Sequence, residues 1–320
     1  YAEGGRSSRS FLNEGRFINY GIFSKDKFPY GMGPAYDRIC PGDYVLMQFC
    51  HNDDESKGYG TYVDRLTPLG IPDGHGIYPT VVPDEQMKVS TGEIPPEYVT
   101  LLRKNGMTEQ EIAAQYGEKY WSYDCGATYK GYLKFYIDKI RARGAVPVLV
   151  TPPPRQYYKN GKIAAVAGQH GGEDAFGAFP YVRAIRQLGR QENVVVLDLF
   201  QRSLELLERL GETTAKSLQS IKDKEGVTIG EARYGRPEKW VEDYDIYWEK
   251  GNFTVDKTHQ NRLGSYLYAA IIADCISEQI SNLTQWQLPC ASKSMRCPAR
   301  IRTFIPVMEA AVHHIGIKIV

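Results

Sequence analysis

The sequence predicts an α/β domain built on a parallel sheet. Two observations carry that expectation: three short apolar runs with the composition of buried strands, and amphipathic helical patterns lying between them. Size agrees, since 320 residues with 42% hydrophobic content suffice for one large domain or a domain with sizeable insertions.

The runs are residues 43–49 (DYVLMQF), 145–151 (AVPVLVT) and 193–199 (NVVVLDL). Each is rich in Val and Leu and ends in polar or turn-forming residues, as a strand covered on both faces does. Ahead of the second run, Leu133, Ile137 and Ile140 fall at i, i+4 and i+7 within residues 129–143, on one face of a helix. Gly144 supplies the stop. Residues 182–190 and 202–210 predict further helices. A last long one, 262–280, follows the capping-type residues Thr258 and Asn261. Strands that alternate with helices imply right-handed crossovers.

Two stretches interrupt the alternation. Residues 54–125 are rich in Gly, Pro and Tyr and hold one helix signal, the capping box of Thr108 and Glu111 before Ile112 and Ala113. Residues 213–251 crowd Trp240, Tyr244, Tyr247 and Trp248 near their end. Segments of that length in an α/β domain are lids, binding walls or insertions. The domain is expected over residues 1–281, with a basic tail at 282–320.

Charge excludes some partners. Lys and Arg number 39 against 38 Asp and Glu, so nothing favours a polyanion, and no nucleic-acid partner is expected. No apolar run reaches the length of a membrane span, and no membrane association is expected. The six cysteines show neither zinc-ribbon nor thioredoxin-like spacing and are expected to be free thiols. Twenty-three tyrosines suit a core first and a sugar cleft second.

Three local signals point to chemistry. Phe49-Cys50-His51-Asn52-Asp53 closes the first run, at the strand end where open parallel sheets gather ligands. An Asn there can aim amide donors at a developing oxyanion, or simply form an Asx-type turn. In Asp256-Lys257-Thr258-His259, a carboxylate three residues before a histidine can accept the imidazole Nδ1–H if the chain turns back. That fixes the tautomer and leaves Nε2 as a general base. At the amino end, Glu3-Gly4-Gly5-Arg6-Ser7-Ser8-Arg9-Ser10 has paired glycines that permit close backbone approach, in a composition equally typical of disorder.

In this order the three signals resemble the conserved blocks of the SGNH (GDSL-like) hydrolases, and among them the rhamnogalacturonan acetylesterase-type carbohydrate esterases. Gly-Gly-Arg-Ser-Ser-Arg-Ser is similar to the second block, Gly42-Asp43-Tyr44-Val45 through Asn52-Asp53 to the third, and Asp256 to His259 to the fifth. The resemblance implies a flavodoxin-like three-layer α/β/α fold whose first strand is missing from this chain. It implies an oxyanion hole of Gly5 and Asn52, with His259 as general base and Asp256 as its partner. The nucleophilic serine of the first block, Gly-Asp-Ser, is absent from these 320 residues, and the chain departs from the pattern at Cys50, where glycine is usual. Ser7, Ser8, Ser10 and Ser265 lack the strand–turn–helix setting of an activated hydroxyl. Residues 316–320 (GIKIV) read as a short strand that resembles the start of a first block.

The expected activity is therefore removal of acetyl groups from a carbohydrate, without cofactor, by a protein of which this chain lacks the nucleophile block. Two rivals stand beside it. His51, Asp53, Asp54, Asp256 and His259 could supply ligands to a hydrolytic metal, although neither His-x-His nor His-Glu-x-x-His occurs. Alternatively the chain binds sugar on Trp240 and Trp248 without turnover. The acyl group, the sugar, the compartment and the oligomeric state are open from sequence.

Overall fold

The computed structural model describes residues 5–18, 34–57, 65–83, 90–91, 99–100, 103–104, 106–116, 121–122, 126–223, 228–229 and 253–280. The aromatic cluster around Trp240, the basic tail and residues 316–320 lie outside them. The chain divides into two compact units, Tyr1–Pro152 with Ala165–Val196, and Pro153–Ala164 with Leu197–Val320.

The first unit is built on the predicted parallel sheet. Strands β1 (Tyr44–Met47), β2 (Val146–Val150) and β3 (Val195–Leu197) lie in the order β1-β2-β3. Tyr44 pairs with Val146 and Met47 with Leu149, in parallel. All three apolar runs form strands, shortened by one or two residues at either end. The fold is α/β with a parallel sheet and helices, the class expected from the sequence.

Helices α1 (Ser8–Asn13) and α2 (Glu109–Tyr116) are short; α3 (Tyr129–Ala142) and α4 (Pro180–Glu192) pack against the sheet. The expected capping box opens α2, with Thr108 N–H donating to Glu111 Oε2 at 2.8 Å and Glu111 N–H returning to Thr108 Oγ1 at 3.3 Å. In α3, Thr128 accepts from Gly131 N–H as N-cap. Its predicted face of Leu133, Ile137 and Ile140 is fully buried, together with Tyr129, Tyr132 and Tyr136. Each such side chain contributes about 1.5–3 kcal/mol by leaving water. Gly144, at φ 73°, ends the helix as read from sequence and accepts from Gly42 N–H at 2.9 Å. Helix α4 extends the predicted 182–190 by two residues at each end, from Pro180 in its first turn to Asn193 in the left-handed cap.

The second unit holds α5 (Leu199–Lys216), β4 (Gln219–Asp223), β5 (Phe253–Gln260) and α6 (Arg262–Gln279). Leu207, Ala215, Leu218 and Leu267 are buried together with Ile163. Strands β4 and β5 are antiparallel and were not legible in the sequence, where residues 213–251 are an interrupting stretch and Asp256 to His259 carry no strand signal. Their composition (QSIKD, FTVDKTHQ) has too little apolar content to signal a strand. Asn261 caps α6 through Gly264 N–H at 3.0 Å; Thr258, expected to share that role, sits inside β5. Among the described residues no helix is long and apolar enough to cross a membrane.

Candidate active site

In the first unit, the turn after β1 is held by buried tyrosines. Tyr129 donates its hydroxyl to Phe49 O at 3.0 Å, and the single Tyr181 hydroxyl proton is shared between Thr67 O at 2.7 Å and Asp53 O at 3.0 Å. Phenols in a core need acceptors, and the carbonyls of an irregular turn need donors; each supplies the other. The tyrosine-rich composition thus serves the core here.

This turn meets the amino-terminal segment. Gly5 has φ 78°, a conformation that favours glycine, and an added Cβ would lie 3.2 Å from Arg65 Nη1. Ser7 caps α1 in a capping box with Ser10: Ser7 N–H donates to Ser10 Oγ at 2.9 Å and Ser10 N–H to Ser7 Oγ at 3.0 Å. That order answers the alternative of a disordered terminus for residues 5–13. Asn52 Nδ2 donates to Arg6 O at 3.2 Å, which brings Asn52 to the residue next to Gly5. The following carboxylate, Asp53, accepts from Ser8 N–H at 2.9 Å and from Ser8 Oγ. Burial is complete at Asp53 and pushes its carboxyl up to about 6, against the lowering pull of the Ser8 and Thr67 hydroxyls and the Ser8 and Cys50 N–H groups.

Cys50 is the departure noted in the sequence, and its backbone stays in the glycine-favouring region at φ 140°. Its buried Sγ lies 3.1 Å from Nδ1 of His170, which is also buried and has φ 53°. The His51 and His170 rings meet edge to face at 4.9 Å. Sequence reading missed His170, which is 120 positions from its partner and in no motif. Ser7, Ser8 and Ser10 are buried with their hydroxyls engaged in the capping box and on Asp53. None of the three presents an attacking oxygen.

In the second unit, Asp256 and His259 meet as their spacing suggested. His259 Nδ1 lies 2.8 Å from Asp256 Oδ2, while Asp256 Oδ1 accepts from Thr258 N–H at 2.7 Å and His259 N–H at 3.1 Å. The cause is a bulge in the ladder. Val255 pairs with Ile221 and Gln260 with Gln219, so four residues of β5 stand opposite the single Ser220 of β4. The excess chain curls over the carboxylate and carries the histidine back to it. Burial raises the Asp256 carboxyl, but the imidazole and the two backbone N–H groups outweigh it and hold the group well below the usual carboxylate range. The carboxylate side chain is 12% exposed and the imidazole 62%, so the carboxylate is held in the fold while the ring faces solvent. Arg155, buried just beyond β2, donates to Thr258 Oγ1, and Gln156 N–H donates to Lys257 O at 2.8 Å, so the bulge is braced by a segment that no sequence motif marks. Its position after a strand end was the available signal.

Among the described residues no three His, Cys, Asp or Glu side chains gather as a metal site would require.

No family model matches the chain. The probable rhamnogalacturonan acetylesterase YesY of Bacillus subtilis strain 168 is 38% identical over 86 residues, covering 27% of this chain and 34% of its own. Rhamnogalacturonan acetylesterase RhgT of the same organism is 22% identical over 219 residues, covering 68% of this chain and 56% of its own. The chain therefore spans between about a third and about half of the length of these curated relatives. Among solved structures, the crystal structure of the Bacillus subtilis protein YxiM aligns at 15% identity with a TM-score of 0.42, covering 86% of this chain and 44% of that one.

Proposed function

We propose that this chain, whose curated sequence relatives are rhamnogalacturonan acetylesterases, carries the acid–base pair and oxyanion donors of a serine esterase that removes acetyl groups from a plant cell-wall polysaccharide such as rhamnogalacturonan. The observation that supports it most is the bulge holding His259 Nδ1 against Asp256 at 2.8 Å with the imidazole exposed. A carboxylate on Nδ1 selects the tautomer whose Nε2 accepts a proton.

In this mechanism a serine hydroxyl attacks the acetyl carbonyl carbon while His259 Nε2 takes its proton. The carbonyl oxygen becomes an oxyanion, which receives hydrogen bonds from Gly5 N–H and the Asn52 amide. Asp256 stabilises the imidazolium. His259 then returns the proton to the departing sugar oxygen, the C–O bond breaks, and an acetyl-enzyme remains. Water, deprotonated by His259, attacks that ester; the acyl–serine C–O bond breaks, His259 returns the proton to the serine oxygen, and acetate leaves. The serine belongs to a Gly-Asp-Ser block, which does not occur in the 320 residues.

The test is acetate release from acetylated rhamnogalacturonan, measured for the 320-residue chain and for any longer product of the same reading frame. Turnover that a serine-directed organophosphonate abolishes and a chelator leaves intact is expected. Activity lost to the chelator alone would reject the mechanism. Polysaccharide binding without acetate release by every such product would instead identify a binding protein.

A further inference from the structure

Next to Asn52 in the chain is a group that the mechanism does not use. Asp53 is 0% exposed, and a carboxylate buried so completely needs hydrogen bonds to offset the water it has lost. It accepts twice from one residue of α1, through Ser8 N–H at 2.9 Å and Ser8 Oγ. Its neighbour Asn52 binds Arg6 O at 3.2 Å, two positions earlier in the same segment. The two contacts together sew the turn after β1 to the turn that carries Gly5. Tyr136 tightens the seam from α3, donating to Ser8 O at 2.6 Å. On the other side Thr67 N–H donates to Asp53 O at 2.9 Å.

We propose that Asp53 is a positioning residue, whose carboxylate clamps α1 to the turn after β1 and so sets the spacing of the Gly5 N–H and the Asn52 amide. The inference rests on the oxyanion reading of those two donors. Donors of this kind work only when fixed near 3 Å from the place the oxyanion will occupy, and a looseness of about 1 Å costs on the order of 100-fold in rate. A backbone N–H in a glycine turn has no side chain to anchor it. The anchor has to come from the next ordered element, which is α1, and Asp53 ties α1 to the turn that carries Asn52, while Tyr136 ties it to α3.

The clamp also titrates. Ionised, Asp53 makes charge-assisted bonds to Ser8; protonated, it makes neutral and weaker ones. Among the described residues the groups packed about it are these. Tyr129 and Tyr136 of α3 and Tyr181 of α4 are neutral, their phenols raised by burial. Thr67 and Ser8 do not ionise in this range. Arg9 of α1 directs its guanidinium to Leu66 O. His51, Asp54 and Glu55 share its turn and His170 lies beside Cys50.

The experiment follows the Asn52 side-chain amide and the Ser8 backbone amide by NMR in the 320-residue chain, from roughly pH 4.5 to 7.5, in wild type, Asp53→Asn and Asp53→Leu. In wild type both signals should move together with one midpoint near 6, the value to which burial pushes the carboxyl, and in Asp53→Asn that step should vanish. A step that persists in Asp53→Asn overturns the proposal, and this arm stands even if Asp53→Leu fails to fold. In protein active on an aryl acetate, Asp53→Leu should lower kcat by about 30-fold or more with KM nearly unchanged, and Asp53→Asn, which keeps an acceptor oxygen for Ser8 N–H, should restore most of the loss. A folded Asp53→Leu variant with kcat within about three-fold of wild type, beside an Asn52→Ala variant that has lost about 100-fold or more, removes the clamp and leaves the oxyanion reading standing. An Asn52→Ala variant of normal kcat removes that reading itself.

Discussion

A buried carboxylate with a raised pKa leaves a mark on stability as well as on the site. Asp53 moves from 3.8 to about 6 on folding, so the folded protein binds its proton more tightly than the unfolded chain. Folding is then favoured below pH 3.8 relative to neutral pH, and this contribution is lost as pH rises through the interval from 3.8 to about 6. At about 1.4 kcal/mol per pH unit, the loss is about 3 kcal/mol. The difference in unfolding free energy between Asp53→Asn and wild type should therefore grow in the mutant's favour across that interval and stay flat above it. A difference independent of pH in urea unfolding would show that Asp53 is not buried as described. Asp256 has the opposite sign, because its carboxyl is depressed and its stabilisation disappears as pH falls. The two roles differed in legibility for a physical reason. Asp256 and His259 are three positions apart, a separation that one bulge closes. Asp53 and Ser8 are 45 positions apart, and their meeting depends on where α1 packs. Sequence motifs marked both segments; only packing revealed that one carboxylate joins them.

At the scale of elements, the apolar strands of the parallel sheet and the helices with one buried face declared themselves, and β4 and β5 did not. The stripe of Leu133, Ile137 and Ile140 is the buried face of α3 because a 3.6-residue repeat leaves no other way to cover it. In β5 the ladder is broken by four looped-out residues, so no period of two survives to be read. Gly131 shows how tertiary contact overrides local preference. In a helix interior, replacing Gly with Ala ordinarily stabilises by up to about 1 kcal/mol. A Cβ at Gly131, however, would sit 1.7 Å from the carbonyl oxygen of Val81, which is backbone and also accepts from Thr128 N–H at 3.0 Å. Overpacking of this kind costs about 1–3 kcal/mol and more where backbone must yield. Gly131→Ala should accordingly lose about 2 kcal/mol or more, seen as a lower urea midpoint at unchanged slope. A midpoint equal to wild type or above it would mean that the segment 78–82 does not pack on α3 as found.

For the whole molecule the decisive matter is whether two sets of residues serve one reaction. Gly5 and Asn52 belong to one compact unit and Asp256 and His259 to the other. Acyl transfer needs donors for the oxyanion and a base for the nucleophile in the same transition state, so kinetics tests whether the two pairs act in one reaction. In active protein, Asn52→Ala should reduce kcat by about 100- to 1,000-fold, the usual loss for one oxyanion donor. His259→Ala should reduce it by about 100- to 10,000-fold, the range of general-base catalysis. If both stabilise one transition state, removing either lets the reaction fall back on a slower route in which the other contributes less. The double variant should then lose clearly less than the product of the two single losses. Losses that multiply in full would assign the residues to independent effects. A single variant that retains wild-type kcat would take its residue out of the chemistry altogether, whatever block of the sequence it resembles.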